Sequence, residues 1–462
     1  MKIHPPTVTI DANDPFKEAL FGRKAFAESL TELLRNVSES LVIVVHAPWG
    51  EGKTTFAQMW RAELARQKLD VIYFDAYSAD YFHDPFVSFS GEILDMAEKR
   101  FSQGKGLIER RDFKKTAVEV GKRLAGLAAK VAIKSATLGA LEEAHIKELK
   151  DIGSEIATGI AEIGAGTIEK KIENYVAEKD SLAAFKKSLA KLAAVVREEL
   201  GFPLTIIVDE LDRCRPDFAL ALLERIKHLF EVENVAFVLL VNRDQIESYI
   251  KSVYGDVDAR AYLLKFANLF VDLPRHRPEH ELQYERGRQE YCQTLFGHYE
   301  LSKKVRDARF LADCSAVLVE HFDITLRDIE KVFTLLTLYY SSLPQNQFTN
   351  DFLVTTLSIL KVAFPRLYAQ LRAGRVSLEA FLEQTKLDQI KQRNEGFNLE
   401  WARKILSVCL MSDAEYEKAE SAEKEANNIQ IRLSEVRKFL LREPRATLPF
   451  LCSRLDRFAL KP

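Results

Sequence analysis

The sequence predicts an α/β fold: a mostly parallel sheet flanked by helices, interrupted by a long helical insertion and followed by a helical C-terminal region. Three observations predict it. Short apolar runs at 41–48, 70–77, 202–210 and 234–242 have the length and composition of strands buried in a sheet. Helix-period segments follow the first and third of these runs, which is the strand–helix–strand order of parallel sheets with right-handed crossovers. Strand signals are missing from about 86 to 200 and again beyond about 280, where apolar residues keep a helical spacing.

Taken in order, RKAFAESLTELLRN (23–36) reads as a helix and LVIVVHAP (41–48) as a buried strand running into a glycine-containing loop. TTFAQMWRAELARQK is an amphipathic helix, and DVIYFDAY (70–77) is the next strand run. Strands return at FPLTIIVDE (202–210) and NVAFVLLVN (234–242), separated by the helix DFALALLERIKHLFEV, and LLKFANLFVDLP (263–274) ends in a further strand. This organisation divides the chain into an N-terminal part of the core (1–85), a helical insertion (86–200), a C-terminal part of the core (201–278) and a helical C-terminal domain (279–462). The stretch 412–440 reads as a charged helix, exposed or coiled-coil-like.

Lys and Arg number 66 against 68 Asp and Glu, a formal net charge of −2, so no basic field marks the chain as a nucleic-acid binder. The five cysteines are scattered, with no CxxC pair and no Cys/His zinc spacing, which fits a reduced, cytoplasmic protein better than a secreted disulfide scaffold. The N-terminus carries no apolar signal segment, and no run of ~20 apolar residues suited to spanning a bilayer is present. Within 86–200 a charge interrupts the apolar runs every few residues, and each would cost ~2.5–3.5 kcal/mol or more at mid-bilayer. Peripheral membrane contact through an amphipathic face stays open there. Helix packing against a protein partner or a second copy is the plainer reading of its small residues.

The chemistry sits in two segments. The loop Ala47-Pro48-Trp49-Gly50-Glu51-Gly52-Lys53-Thr54, continued by Thr55, fits the phosphate-loop pattern GxxxxGK[ST] except that Ala47 stands at the first glycine. Gly50 and Gly52 allow the backbone to curl so that successive N–H groups face one anion. The helix starting near Lys53 adds its positive end. Lys53 is placed to reach the β- and γ-phosphates, and the Thr54 hydroxyl to ligate Mg²⁺. The second segment is a strand ending in Asp209-Glu210, at the carboxyl edge where open α/β sheets bind ligands. Asp209 is the candidate Mg²⁺ carboxylate, and Glu210 the candidate for polarising an attacking water. Asn242, ending the next strand, is either a γ-phosphate sensor or a strand-terminating turn residue.

Together these segments resemble the KAP family of P-loop NTPases. PWGEGKTT is similar to that family's WGxGK[ST] loop and VDELDRC (208–214) to its VDDLDRC strand. Tyr73-Phe74-Asp75-Ala76-Tyr77 stands for its F-N-A-W strand, and VNRDQI (241–246) for its strand ending in a polar residue. YLLKFANLFVDLP (262–274) resembles its Y-L-x-K segment, and Thr325-Leu326-Arg327-Asp328-Ile329 its P-R-x-[IL] helix start, with Leu for Pro. The resemblance spans most of residues 14–340 and implies an ATP-binding, ATP-hydrolysing domain with ATP and Mg²⁺ as ligands. It implies a switch or remodelling role in settings such as bacterial anti-phage defence. A nucleotide-binding scaffold with little hydrolysis is the alternative that Ala47 keeps open. The absence of a guanine-reading NKxD favours ATP over GTP.

Phosphoryl transfer calls for positive charge at the transition state. Arg213, Arg243 and Arg327 are the candidates, Arg327 being sensor-like at the start of a C-terminal helix. Arg23, in Phe21-Gly22-Arg23, lies where the family's relatives contact the base. Asp212 either orients Arg213 or caps the turn that follows it. Cys214 reads as a small buried residue.

Overall fold

The computed structural model describes residues 2–37, 39–81, 85–101, 106–132, 168–227, 229, 231–275, 287–343, 349–390, 398–425 and 431–458. Five strands form one wholly parallel sheet: β1 (Leu41–His46), β2 (Val71–Asp75), β3 (Leu204–Asp209), β4 (Val235–Val241) and β5 (Leu269–Asp272). Their order is β2-β3-β4-β1-β5. The three central strands are buried along nearly their whole length, whereas β2 at one edge alternates. A central strand is covered on both faces, which is why its sequence is a nearly continuous apolar run, with the buried Thr205 of β3 as an exception.

The period of two sorts these side chains into two layers. Val42, Val44, Phe237 and Leu239 face one core, and Ile43, Val45, Val238 and Leu240 the other. The second core is closed by α1 (Arg23–Asn36) and α2 (Lys53–Arg66), with Leu34, Phe56 and Trp60 at its centre. The first is closed in part by helices from within 86–200. After the short α3 (Ala76–Ala79) come α4 (Pro85–Arg100), α5 (Leu107–Ala132) and α6 (Ile168–Leu200), which insert Phe86, Phe89, Phe113, Phe185 and Leu189. Both ends of the helical segment therefore cover the sheet. Its small-residue-rich middle, 133–167, lies outside the described residues.

Two further helices, α7 (Pro216–Lys227) and α8 (Arg243–Tyr254), follow β3 and β4, and α9 (Ala259–Leu264) leads into β5. The register pairs His46 with Val241 and Asp272, and Asp75 with Asp209, so these strand ends line up at one edge.

From Arg288 onward the chain builds a third core of helices: α10 (Arg288–His298), α11 (Ala308–His321), α12 (Leu326–Ser341), α13 (Asp351–Ala363), α14 (Pro365–Arg372), α15 (Leu378–Thr385), α16 (Leu399–Leu410), α17 (Asp413–Glu425), α18 (Leu433–Arg437) and α19 (Thr447–Leu455). Phe21, from the N-terminal segment, is buried within it. The stretch 412–440 is not one free helix. It forms α17 and α18, which bury Tyr416, Leu433 and Val436, and the Leu433 amide donates to Glu423 Oε2 at 2.8 Å. Among the described residues no helix is long and apolar enough to cross a membrane. All five cysteines are buried thiols, and burial pushes Cys214 up to about 12.

Candidate phosphate-binding site

The loop leaves β1 at Ala47, which is fully buried and whose amide donates to the Val241 carbonyl at 3.1 Å, extending the β1–β4 ladder. Ala47 is not among the residues with positive φ, so a side chain is tolerated where the pattern has glycine. Pro48 is half-buried and Trp49 exposed. The two turns that follow need glycine: φ is 88° at Gly50 and 75° at Gly52, the left-handed region. Gly52 immediately precedes α2, so the first amides of that helix, Lys53, Thr54 and Thr55, lie at its unsatisfied N-terminus.

Both candidate side chains of the loop, Lys53 and Thr54, are tied to protein groups. Lys53 Nζ donates to the Ala47 carbonyl at 2.8 Å and lies 3.4 Å from Asp212 Oδ2. Thr54 Oγ1 donates to Glu210 Oε1 at 2.6 Å. The acidic strand end is thus in contact with the loop, as the two motifs require. Asp209 is fully buried and accepts from Tyr73 Oη at 2.9 Å and from the Glu210 amide at 2.8 Å. Burial raises its pKa above the ordinary carboxylate value, opposed by hydrogen bonds from Thr54 and Tyr73. Glu210 sits at φ 60°, a left-handed conformation costing a non-glycine residue ~1–3 kcal/mol. Its second oxygen pairs with Arg213 Nε at 2.6 Å.

Asp212 does neither of the things its sequence position suggests. Arg213 turns to Glu210, and the buried Asp212 Oδ2 instead gathers Trp49 Nε1 at 2.6 Å, the Asn242 amide at 3.0 Å and the Lys53 ammonium. Asn242 precedes α8, and its Oδ1 is buried without a hydrogen-bond partner among the described residues. Arg243 runs along its own helix to Glu247 at 3.4 Å, while its amide donates to His46 Nδ1 at 3.0 Å.

The other side of the loop meets the helical region. The Arg327 amide donates to the Gly50 carbonyl at 3.1 Å, and a Cβ on Gly50 would lie 2.8 Å from both Arg327 Cβ and Thr325 Oγ1. The Arg327 guanidinium is exposed, and among the described residues no hydrogen bond or ion pair engages it. It stands in the first turn of α12, where the helix dipole disfavours a cation.

Arg23 is buried, with Nη2 on the Glu51 carbonyl at 2.7 Å and Nε on the Pro274 carbonyl at 3.3 Å. It holds the loop's backbone. Burial pushes its pKa down to about 10, offset in part by Glu51. The Glu51 carboxylate is fully buried and contacts Arg275 Nη2 at 3.0 Å and Arg288 Nη2 at 3.5 Å. Arg275, Arg288 and their second partner Asp323 carry no sequence signal: they belong to no motif and lie more than 200 positions from the loop by direct numbering.

A family model described as the KAP family P-loop domain matches residues 23–343. The chain belongs to the KAP family. The match covers both halves of the sheet, the helical segment between them and the helices up to α12. No curated protein matches the chain. Among solved structures, the ORC2 protein of Aeropyrum pernix, determined as ADPNP and ADP complexes, aligns over 96% of each chain with 14% identity and a TM-score of 0.34.

Proposed function

We propose that this KAP-family domain binds and hydrolyses ATP in a Mg²⁺-dependent way, and that the helical region follows the state of the nucleotide. One observation carries the reading: the glycine-turned loop, Lys53, Thr54, Asp209 and Glu210 meet at one edge of the sheet, with Thr54 Oγ1 2.6 Å from Glu210 Oε1. Loop amides and Lys53 take the phosphates, replacing the contacts that Lys53 makes with Ala47 and Asp212.

The donor set fits the cation. Thr54 and Asp209 offer only hard oxygens, and Asp209 is a buried acid without a cationic partner within ion-pair distance among the described residues. When bound, Mg²⁺ supplies charge neutralisation at the phosphate oxygens. Glu210 orients and deprotonates the attacking water once Thr54 has released it. The unpartnered Asn242 Oδ1 accepts from that water, and Arg327 contributes positive charge from the helical side.

Steady-state ATP turnover in the wild type and in Glu210→Gln tests the reading. Turnover that falls at least about 100-fold in the variant while nucleotide binding persists supports it. Tight binding with equal, negligible turnover in both proteins makes the domain a nucleotide-dependent scaffold instead. Absence of nucleotide binding in the wild type refutes both.

A further inference from the structure

The phosphate-loop pattern leaves its fifth position free, yet here that position is Glu51, a carboxylate with no exposed surface. A buried carboxylate is costly unless it is paired. Its partners come from beyond the sheet. Arg275 Nη2 lies 3.0 Å from Glu51 Oε1 and 3.5 Å from Asp323 Oδ2. Arg288 Nη2 lies 3.5 Å from Glu51 Oε1 and 2.8 Å from Asp323 Oδ1. The two arginines therefore bridge the loop to the residue four positions before Arg327.

Two further donors of Arg288 fix the same junction, with Nε on the Ile324 carbonyl at 3.2 Å and Nη1 on the Arg275 carbonyl at 2.9 Å. Arg23 completes it from the N-terminal side through the Glu51 carbonyl. The guanidinium carbons of Arg23 and Arg288 each lie 5.4 Å from the Phe21 ring centroid. Among the described residues Glu51 Oε2 lacks a hydrogen-bond partner. The loop carboxylate is a buried counter-charge shared by Arg275 and Arg288.

We propose that Glu51 is a positioning residue: its buried carboxylate, clamped by Arg275 and Arg288, locks the phosphate loop to the start of α12, so that the loop's phosphate-ready shape and the seating of the helical region are one equilibrium. The link to nucleotide rests on the function proposed above; the lock itself does not. Backbone on both sides of Glu51 is committed, through Arg327 N to Gly50 O and Arg23 to Glu51 O, so freeing the carboxylate loosens both glycine turns together. Phosphate bound by those amides would tighten the lock by the same free energy with which the lock favours phosphate.

Hydrogen exchange followed by mass spectrometry on nucleotide-free protein tests the lock directly. In Glu51→Gln, peptides covering 47–56 and 323–330 should both exchange about tenfold faster or more, with sheet peptides unchanged, as local opening predicts. Asp323→Asn, which alters the half-exposed far end and leaves the loop's sequence intact, should speed the 47–56 peptide as well. It keeps the test open if Glu51→Gln fails to fold. Affinity for a fluorescent ATP analogue should fall about tenfold in Glu51→Gln, and the double variant should lose little more. Accelerated exchange in a protein whose wild type binds no nucleotide would uphold the lock and refute the nucleotide reading. Unchanged exchange at 47–56 in the folded variants overturns the proposal, even where wild-type binding is tight.

Discussion

The two sides of the phosphate loop are held in different ways. Toward the sheet, Lys53 and Thr54 rest on groups that a phosphate or a cation can replace: a carbonyl, Asp212 and Glu210. Toward the helical region, Gly50 and Glu51 are fixed by a backbone hydrogen bond, by the fully buried Arg288 and by the partly buried Arg275. The first set is exchangeable, and the second is a framework. A loop that opens to ligand on one side, as proposed, and keeps its shape gains from that division. Lost framework contacts should therefore appear as lost stability, and lost exchangeable contacts as lost binding with the fold retained.

The largest effect is expected at Arg288. Arg288→Ala removes the fully buried guanidinium that contacts both Glu51 and Asp323, and should cost ~3–5 kcal/mol, read as a lower urea midpoint. A loss below ~1 kcal/mol would remove the distinction between the two sides. Next is Gly50→Ala, which meets both a left-handed φ of 88° and a Cβ contact of 2.8 Å, so ~2 kcal/mol or more should be lost by the same measurement.

On the exchangeable side, Asp209 sets a pH dependence. Its pKa is raised by burial, so as pH falls it takes up a proton earlier than a free aspartate, and Mg²⁺-dependent nucleotide affinity should weaken from above the ordinary carboxylate range. For stability the sign is opposite. A raised folded-state pKa favours the protonated fold, and that contribution is lost as pH rises through the raised value. Asp209→Asn should therefore leave the fold as stable or more stable at neutral pH while abolishing the metal dependence of binding. Thermal unfolding and titration with and without Mg²⁺ check both halves. The smallest effect is optical. Trp49 donates to Asp212, while Trp60 is buried on Thr31 and Trp401 lies in the helical core. A nucleotide-induced change in tryptophan emission should disappear in Trp49→Phe.

How much of this was legible beforehand follows the range of each interaction. β1, β3 and β4 are nearly continuous apolar runs, and helix α1 coincides with its sequence pattern at 23–36 because apolar spacing and its flanks are local. The run at 70–77 ended early: β2 stops at Asp75, whose side chain accepts from the Ser78 amide and starts α3. That the loop and Asp209-Glu210 belong together was readable because the motifs restrict residue types at fixed spacing, and the structure brings them into contact. The roles of Asp212, Arg275, Arg288 and Asp323 were not. They depend on which charges the fold brings together across hundreds of positions, and an isolated arginine in a helical segment looks the same whether it ends in solvent or against a buried glutamate. The covering of one sheet face by α4, α5 and α6 was hidden for a similar reason, since a helix period tells that a face is buried but not what buries it.

The most direct test is calorimetric titration of ATP with Mg²⁺ into the wild type and Lys53→Ala, alongside urea unfolding of each. The exchangeable site predicts measurable wild-type affinity that falls at least about 100-fold in the variant, with stability changed by less than ~1 kcal/mol. Equal affinity in the two proteins would contradict it.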